Sequence, residues 1–231
     1  MSTAGDVLSR ALPWIVGPAM LGVLSLIFLV VPTESDQGIV QRIFYVHVPC
    51  AWTAFVAFFL VCVASIGFLA TRRESWDRLA KASAEVGIIF CSLVLITGPI
   101  WARPIWGVWW TWDPRLTMTV ILWTIYATYL ILRSYGGPDE QIARYAAVLG
   151  IVGAIDIPVI IVSVRMWRGI HPAVLMTREG GSGLLDPMMR YTLYASGLAF
   201  LLLFAWLVTI RTRTLRTEDS IEEIERGLRP A

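Results

Sequence analysis

The stretch "AEVGIIFCSLVLITGPIWARPIWGVWWTWDPRLTMTVILWTIYATYLIL", Ala84 to Leu132, decides the fold. It holds two apolar runs, Ala84 to Ile100 and Pro114 to Leu132, on either side of a segment crowded with tryptophan. A helix needs about 18 or more mostly apolar residues to cross roughly 30 Å of hydrocarbon, and each run is about that long. Outward from this pair the pattern recurs at Trp14 to Val31, Ala51 to Ala70, Tyr145 to Arg165 and Tyr191 to Ile210. Six such runs in 231 residues leave only short connections. The expected fold is therefore all-α, an integral membrane bundle of six transmembrane helices forming a single domain over residues 1–231, with a tryptophan-rich loop at 101–116 and a polar tail at 211–231.

Composition agrees with this reading. Hydrophobic residues make up 57% of the chain and charged residues only 16%, against about 25% charged in an ordinary soluble domain. The first run is long for a secretory leader, and no small-x-small cleavage site follows it in "VVPTESDQG", so a retained helix is expected. With an even number of spans both termini share a side. That side holds Arg10, Arg72, Arg73, Arg78, Lys81, Arg133, Arg144, Arg211, Arg213, Arg216, Arg226 and Arg229, 12 of the 19 basic residues. Positive charge accumulates on cytoplasmic loops, which places both termini in the cytoplasm.

Several function classes are excluded or unsupported. A net charge of +2 with no Lys/Arg-rich run gives nucleic acid nothing to bind. The chain has a single lysine, Lys81, with no glycine-rich phosphate loop before it, so ATP hydrolysis by that device is excluded. The three cysteines, Cys50, Cys62 and Cys91, form no CxxC pair and read as buried apolar residues.

The loops on the outer side carry the chemistry. The chain's two histidines, His47 in "YVHVP" and His171 in "GIHPA", fall in the first and third of these loops and bracket the second, tryptophan-rich one. Each stands just before a proline (Pro49, Pro172), and proline favours the first turn of a helix, so both imidazoles are expected at helix entries. Two imidazoles are too few for a closed structural zinc site, which takes four N or S ligands. They suit the two axial positions of a haem iron, whose porphyrin supplies the other four ligands.

Five of the 11 tryptophans (Trp101, Trp106, Trp109, Trp110 and Trp112) fall between residues 101 and 112. Trp106, Trp109 and Trp110 stand at i, i+3, i+4, and Pro104 is placed to start a short helix that would show them as one aromatic face. Asp113 and Pro114 read as N-cap and first residue of the fourth span. Arg103, Arg115, Arg165 and Arg168 flank the region as donors for carboxylates such as propionates, with lipid phosphate as the plainer partner and Asp113 as an alternative one for Arg115. An interfacial aromatic belt explains Trp14, Trp52, Trp123 and Trp206, but poorly explains five tryptophans in one loop.

With these residues in view, "WGVWWTWDPRLT" (Trp106 to Thr117) resembles the WWD signature of haem-handling proteins in cytochrome c biogenesis. Together with "YVHVP", "TGPIWARPIWG" (Thr97 to Gly107) and the six spans, it makes the chain most similar to the haem exporter protein C (CcmC) family. That resemblance implies a non-enzymatic haem carrier of the bacterial inner membrane, with the 101–116 loop in the periplasm and b-type haem bound non-covalently. His47 and His171 would be its axial ligands, and Trp106, Trp109, Trp110, Trp112, Asp113 and Arg115 would contact or frame the macrocycle. It also implies delivery to the haem chaperone CcmE, and assembly with the ATPase CcmA and the membrane subunits CcmB and CcmD.

Two alternatives come from the residues. Asp156, in "GAIDIPVII", and Glu85 are ionisable groups within spans, which fits a proton-coupled small-solute carrier whose helix breaks at Pro158. A structural docking subunit is the other, with the aromatic loop as a protein-binding surface. In the tail, Ile221, Ile224 and Leu228 share a helical face that would contact the ATPase, against a frayed solvated end as the plainer reading.

Overall fold

The computed structural model describes residues 4–135, 140–166 and 186–228. Six helices carry nearly all of them: α1 (Ala4–Ser25), α2 (Phe44–Thr71), α3 (Glu74–Trp106), α4 (Pro114–Tyr135), α5 (Glu140–Met166) and α6 (Pro187–Leu228). Each contains a stretch long and apolar enough to cross a membrane, so the chain is a six-helix membrane bundle. Helices are the natural solution because hydrocarbon offers no partner to an unpaired backbone N–H or C=O.

The helices extend past the apolar runs that mark them in the sequence. At 1.5 Å per residue, α3 is roughly 50 Å long and α6 roughly 63 Å, well beyond the hydrocarbon thickness. The expected short helix beginning at Pro104 does not exist, because α3 continues through Pro99 and Pro104 to Trp106. It stops at Gly107, whose φ of 75° is open to glycine without penalty. The Gly107 N–H returns to the Arg103 carbonyl at 3.0 Å. Nor does Pro158 break its helix, since α5 is continuous from Glu140 to Met166. The 211–228 part of the tail is helical too, an unbroken continuation of α6 that leaves Ile221 and Ile224 exposed.

α2 lies at the centre, packed against α3, α5 and α6, while α4 closes on α3 and α5, and α1 lies outside against α6. Close approach is bought with small residues, as in membrane helix pairs generally. A Cβ at Gly150 of α5 would meet Val61 Cγ1 of α2 at 2.9 Å, and one at Gly87 of α3 would meet the Ala57 Cβ at 2.8 Å. Between these contacts Tyr126 of α4 stacks on Phe58 with ring centroids 3.8 Å apart, and its hydroxyl donates to the Gly150 carbonyl at 2.9 Å. Lipid-facing positions such as Leu21, Leu29, Ile155 and Leu198 are exposed and apolar.

One end of the bundle is tied by ion pairs. Arg133 of α4 holds Asp77 of α3 through two hydrogen bonds of 2.9 and 2.6 Å, and Arg78 reaches Asp219 of α6 at 2.8 Å. Arg211 of α6 donates to both carboxylate oxygens of Glu85 and to Glu218. Glu85 thus has a structural partner and needs no proton-carrying role. The five tryptophans between residues 101 and 112 gather at the opposite end.

Candidate functional site

His47 is the fourth residue of α2, which begins at Phe44. The histidine is therefore at a helix entry, but Pro49 lies in the second turn and does not start the helix. What starts it is a 3-10 turn, Ile39–Ile43, leading directly into α2. The loop before that turn is pinned at Glu34, whose carboxylate accepts from the Asp36 and Gln37 N–H groups at 3.0 and 2.5 Å.

Gln37 then accepts from Trp101 Nε1 at 3.1 Å, so the first loop is fastened to α3. Trp101 is the hinge of the aromatic assembly. It is 2% exposed, and its ring centroid lies 5.7 Å from Phe44, 5.8 Å from His47 and 6.1 Å from Trp106. A buried indole whose N–H is satisfied can act as such a fixed wall.

The His47 side chain is 5% exposed and lies against the last turns of α3. Its Nδ1 is 2.9 Å from Thr97 Oγ1. Directly beside it is Gly98, where an added Cβ would stand 3.4 Å from the imidazole Cε1, about ordinary contact distance.

From this ring a shallow cleft opens between α2, α3 and the segment after Gly107. It is lined by His47, Gly98 and Trp101 together with three more tryptophans, Trp106, Trp109 and Trp110, and by Asp113 and Leu116. The three tryptophans face one cleft although they do not share one helix. Only Trp106 is helical, and residues 107–113 run on without helix to the start of α4. Trp109 is 59% exposed, while Trp112 is 75% exposed and stands edge-on to Trp110 at 5.6 Å. Trp112 projects beside the cleft and does not line it.

Asp113 has the expected capping geometry. Its Oδ1 accepts from the Leu116 N–H at 3.0 Å and its Oδ2 from the Thr111 hydroxyl at 3.3 Å, with Pro114 the first residue of α4. Asp186 and Pro187 repeat the device at α6, where Asp186 Oδ1 accepts from the Met188 N–H at 2.6 Å.

Two cations differ in their availability. Arg103 donates to the Gly107 carbonyl and so closes the end of α3. Arg115 is half-buried, near enough to His47 for its charge to act there, and its Nε has no partner. Trp110 Nε1 is likewise buried without a partner. Unsatisfied buried donors are unusual in native proteins; these two are among nine buried side-chain N or O atoms without a partner in the described residues, and they are the two that come from the tryptophan segment and its continuation. Among the described residues no three His, Cys, Asp or Glu side chains converge on one point.

His171, the other axial candidate, lies outside the described residues, as does Arg168. Thr97, Gly98 and Trp101 were not singled out as site residues by the sequence. Thr97 reads there as one more small residue in an apolar run, and only its contact with a histidine 50 positions earlier gives it meaning.

Comparisons with known proteins show which family the chain belongs to. The sequence model of the family described as "Heme exporter protein C" matches residues 2–226. The chain is 36% identical over 212 residues to the Heme exporter protein C of Bradyrhizobium diazoefficiens, covering 91% of this chain and 79% of that one. It is 35% identical to the protein of the same name from Paracoccus denitrificans, covering 93% and 88%. With the Escherichia coli K12 protein it shares 34% identity, covering 80% and 74%. With the motif, the six helices and these relatives in agreement, the chain belongs to the haem exporter protein C (CcmC) family.

Proposed function

We propose that this protein is a haem-holding and haem-presenting membrane subunit of cytochrome c maturation, a carrier and not an enzyme. The observation that carries the reading is the cleft itself, which a buried histidine lines together with Trp101, Trp106, Trp109 and Trp110, with two unpaired N–H donors nearby.

The donor set fits a haem. Haem brings an iron with two axial positions, a flat apolar macrocycle and two propionates. His47 offers an imidazole as one axial ligand, and His171 is assigned to the other. Trp106, Trp109 and Trp110 provide apolar aromatic surface, and Trp112, exposed beside the cleft, is assigned to its rim. Arg115 Nε and Trp110 Nε1 are donors suited to carboxylate, a charge-assisted bond in the arginine's case. Asp113 fixes the turn by which the tryptophan segment enters α4.

The basic-residue distribution supports both termini being cytoplasmic and the tryptophan-bearing end being on the outer side; the family resemblance implies that this membrane is a bacterial inner membrane and that outer side the periplasm. Haem held there, as non-covalent b-type haem, is presented to the chaperone CcmE, with ATP hydrolysis supplied by CcmA and the complex completed by CcmB and CcmD. The exposure of Trp109 and Trp112 supports this step, since handover requires a surface a partner can reach.

The proton-coupled carrier reading loses the broken helix it needs, as α5 passes unbroken through Pro158. Transfer is the test. Protein loaded with haem in lipid nanodiscs and mixed with apo-CcmE is expected to lose its haem absorbance as the chaperone gains it. Haem that stays on the carrier, with or without the partner subunits and ATP, would refute presentation.

A further inference from the structure

The contact between α2 and α3 specifies which nitrogen of His47 is available. Thr97 Oγ1 lies 2.7 Å from the Leu93 carbonyl as well as 2.9 Å from His47 Nδ1. A hydroxyl has one proton. A carbonyl can only accept, so that proton goes to Leu93, and the Thr97 oxygen meets the imidazole as an acceptor. His47 Nδ1 must then carry its hydrogen and donate it, which leaves the Nε2 lone pair free.

Two further contacts hold the ring in this pose. Cε1 lies beside Gly98, 3.4 Å from where a Cβ there would stand, and the Trp101 ring centroid is 5.8 Å away. The imidazole is therefore fixed in tautomer and in orientation before any ligand arrives.

We infer that Thr97 is a positioning residue, whose hydroxyl locks His47 in the Nδ1–H tautomer and so presents Nε2 as the ligand atom toward the cleft. The functional half of this inference rests on the haem reading above; the tautomer itself does not. An outer partner that accepts from a ligating histidine also strengthens the imidazole as a donor to the metal, and loss of such partners typically lowers metal affinity about 10- to 100-fold.

The chain's two histidines make the test simple, because ¹⁵N-histidine labelling gives only two pairs of ring-nitrogen signals, assigned with His47→Ala and His171→Ala. Solid-state NMR of the full haem-free protein in lipid bilayers is expected to show His47 protonated at Nδ1 and bare at Nε2. Thr97→Val, which keeps the shape and removes the hydroxyl, is expected to shift His47 toward the other tautomer. Thr97→Ser is expected to restore the wild-type signal.

With ferric haem, Thr97→Val should lose about tenfold in affinity and its haem reduction potential should rise, while Thr97→Ser stays near wild type. A wild-type His47 protonated at Nε2 would overturn the inference even if Thr97→Val failed to fold. So would a folded Thr97→Val with unchanged tautomer, affinity and potential. If haem binding proved indifferent to His47→Ala, the haem reading would fall, whereas the NMR result would still decide the tautomer.

Discussion

Replacing Asp113 separates two roles that its position allows, shaping the turn and acting through its charge. Its Oδ1 bond to the Leu116 N–H caps α4, and its Oδ2 accepts from Thr111, so it joins the tryptophan segment to the helix. Losing an N-cap costs about 1 kcal/mol (0.5–2) when alanine replaces it, whereas asparagine caps about as well as aspartate. The negative charge at a helix N-terminus adds roughly 0.3–1 kcal/mol through the backbone dipole. Asp113→Ala therefore loses about 1–3 kcal/mol locally and Asp113→Asn at most about 1.

Haem binding that depends on this turn can weaken by no more than that local loss. At 1.4 kcal/mol per tenfold, Asp113→Ala is expected to lower affinity by roughly 5- to 150-fold and Asp113→Asn by about 5-fold or less. Titration of purified variants with ferric haem in nanodiscs, followed by absorbance, gives both numbers. If Asp113→Asn falls as far as Asp113→Ala, the carboxylate acts through its charge at the bound group, and the capping account is refuted.

Other perturbations have equally definite outcomes. Trp112→Ala removes an exposed side chain, so thermal unfolding should shift by less than about 0.5 kcal/mol while haem affinity drops. At the other end, Arg133→Met strands Asp77 and should destabilise by about 3 kcal/mol, and the double variant with Asp77→Asn should recover most of it; additive losses in thermal melts would contradict the pairing. Gly150→Ala places a Cβ 2.9 Å from Val61 Cγ1, which should cost about 1–3 kcal/mol in the same assay. Gly22→Ala, with nothing within 4 Å of its added Cβ, should be tolerated.

Much of this fold is legible in the sequence because the bilayer leaves few choices. Long apolar runs must become helices, and the D-P pair at Asp113–Pro114 marks a helix start that the structure retains. The helix ends are less legible, since hydropathy marks only where a helix is in hydrocarbon. α3 therefore outruns its apolar segment at both ends, and its real stop is set by Gly107 and Arg103. Proline misleads for a related reason: Pro104 and Pro158 read as a start and a break, yet both sit inside continuous helices. Glu85 shows the limit for charge, because its partner Arg211 is 126 positions away. Thr97 shows the same limit at the site. Residue types reveal histidines and tryptophans as candidates, but the hydroxyl that orients a histidine is visible only when two helices are brought together.

The visible absorption spectrum of the haem-loaded protein, oxidised and reduced, tests the central claim most directly when compared among wild type, His47→Ala and His171→Ala. Ligation by both histidines is expected to give a six-coordinate low-spin spectrum in the wild type that is lost or altered in each variant. A wild type that takes up no haem, or variants that bind it with an unchanged spectrum, would contradict it.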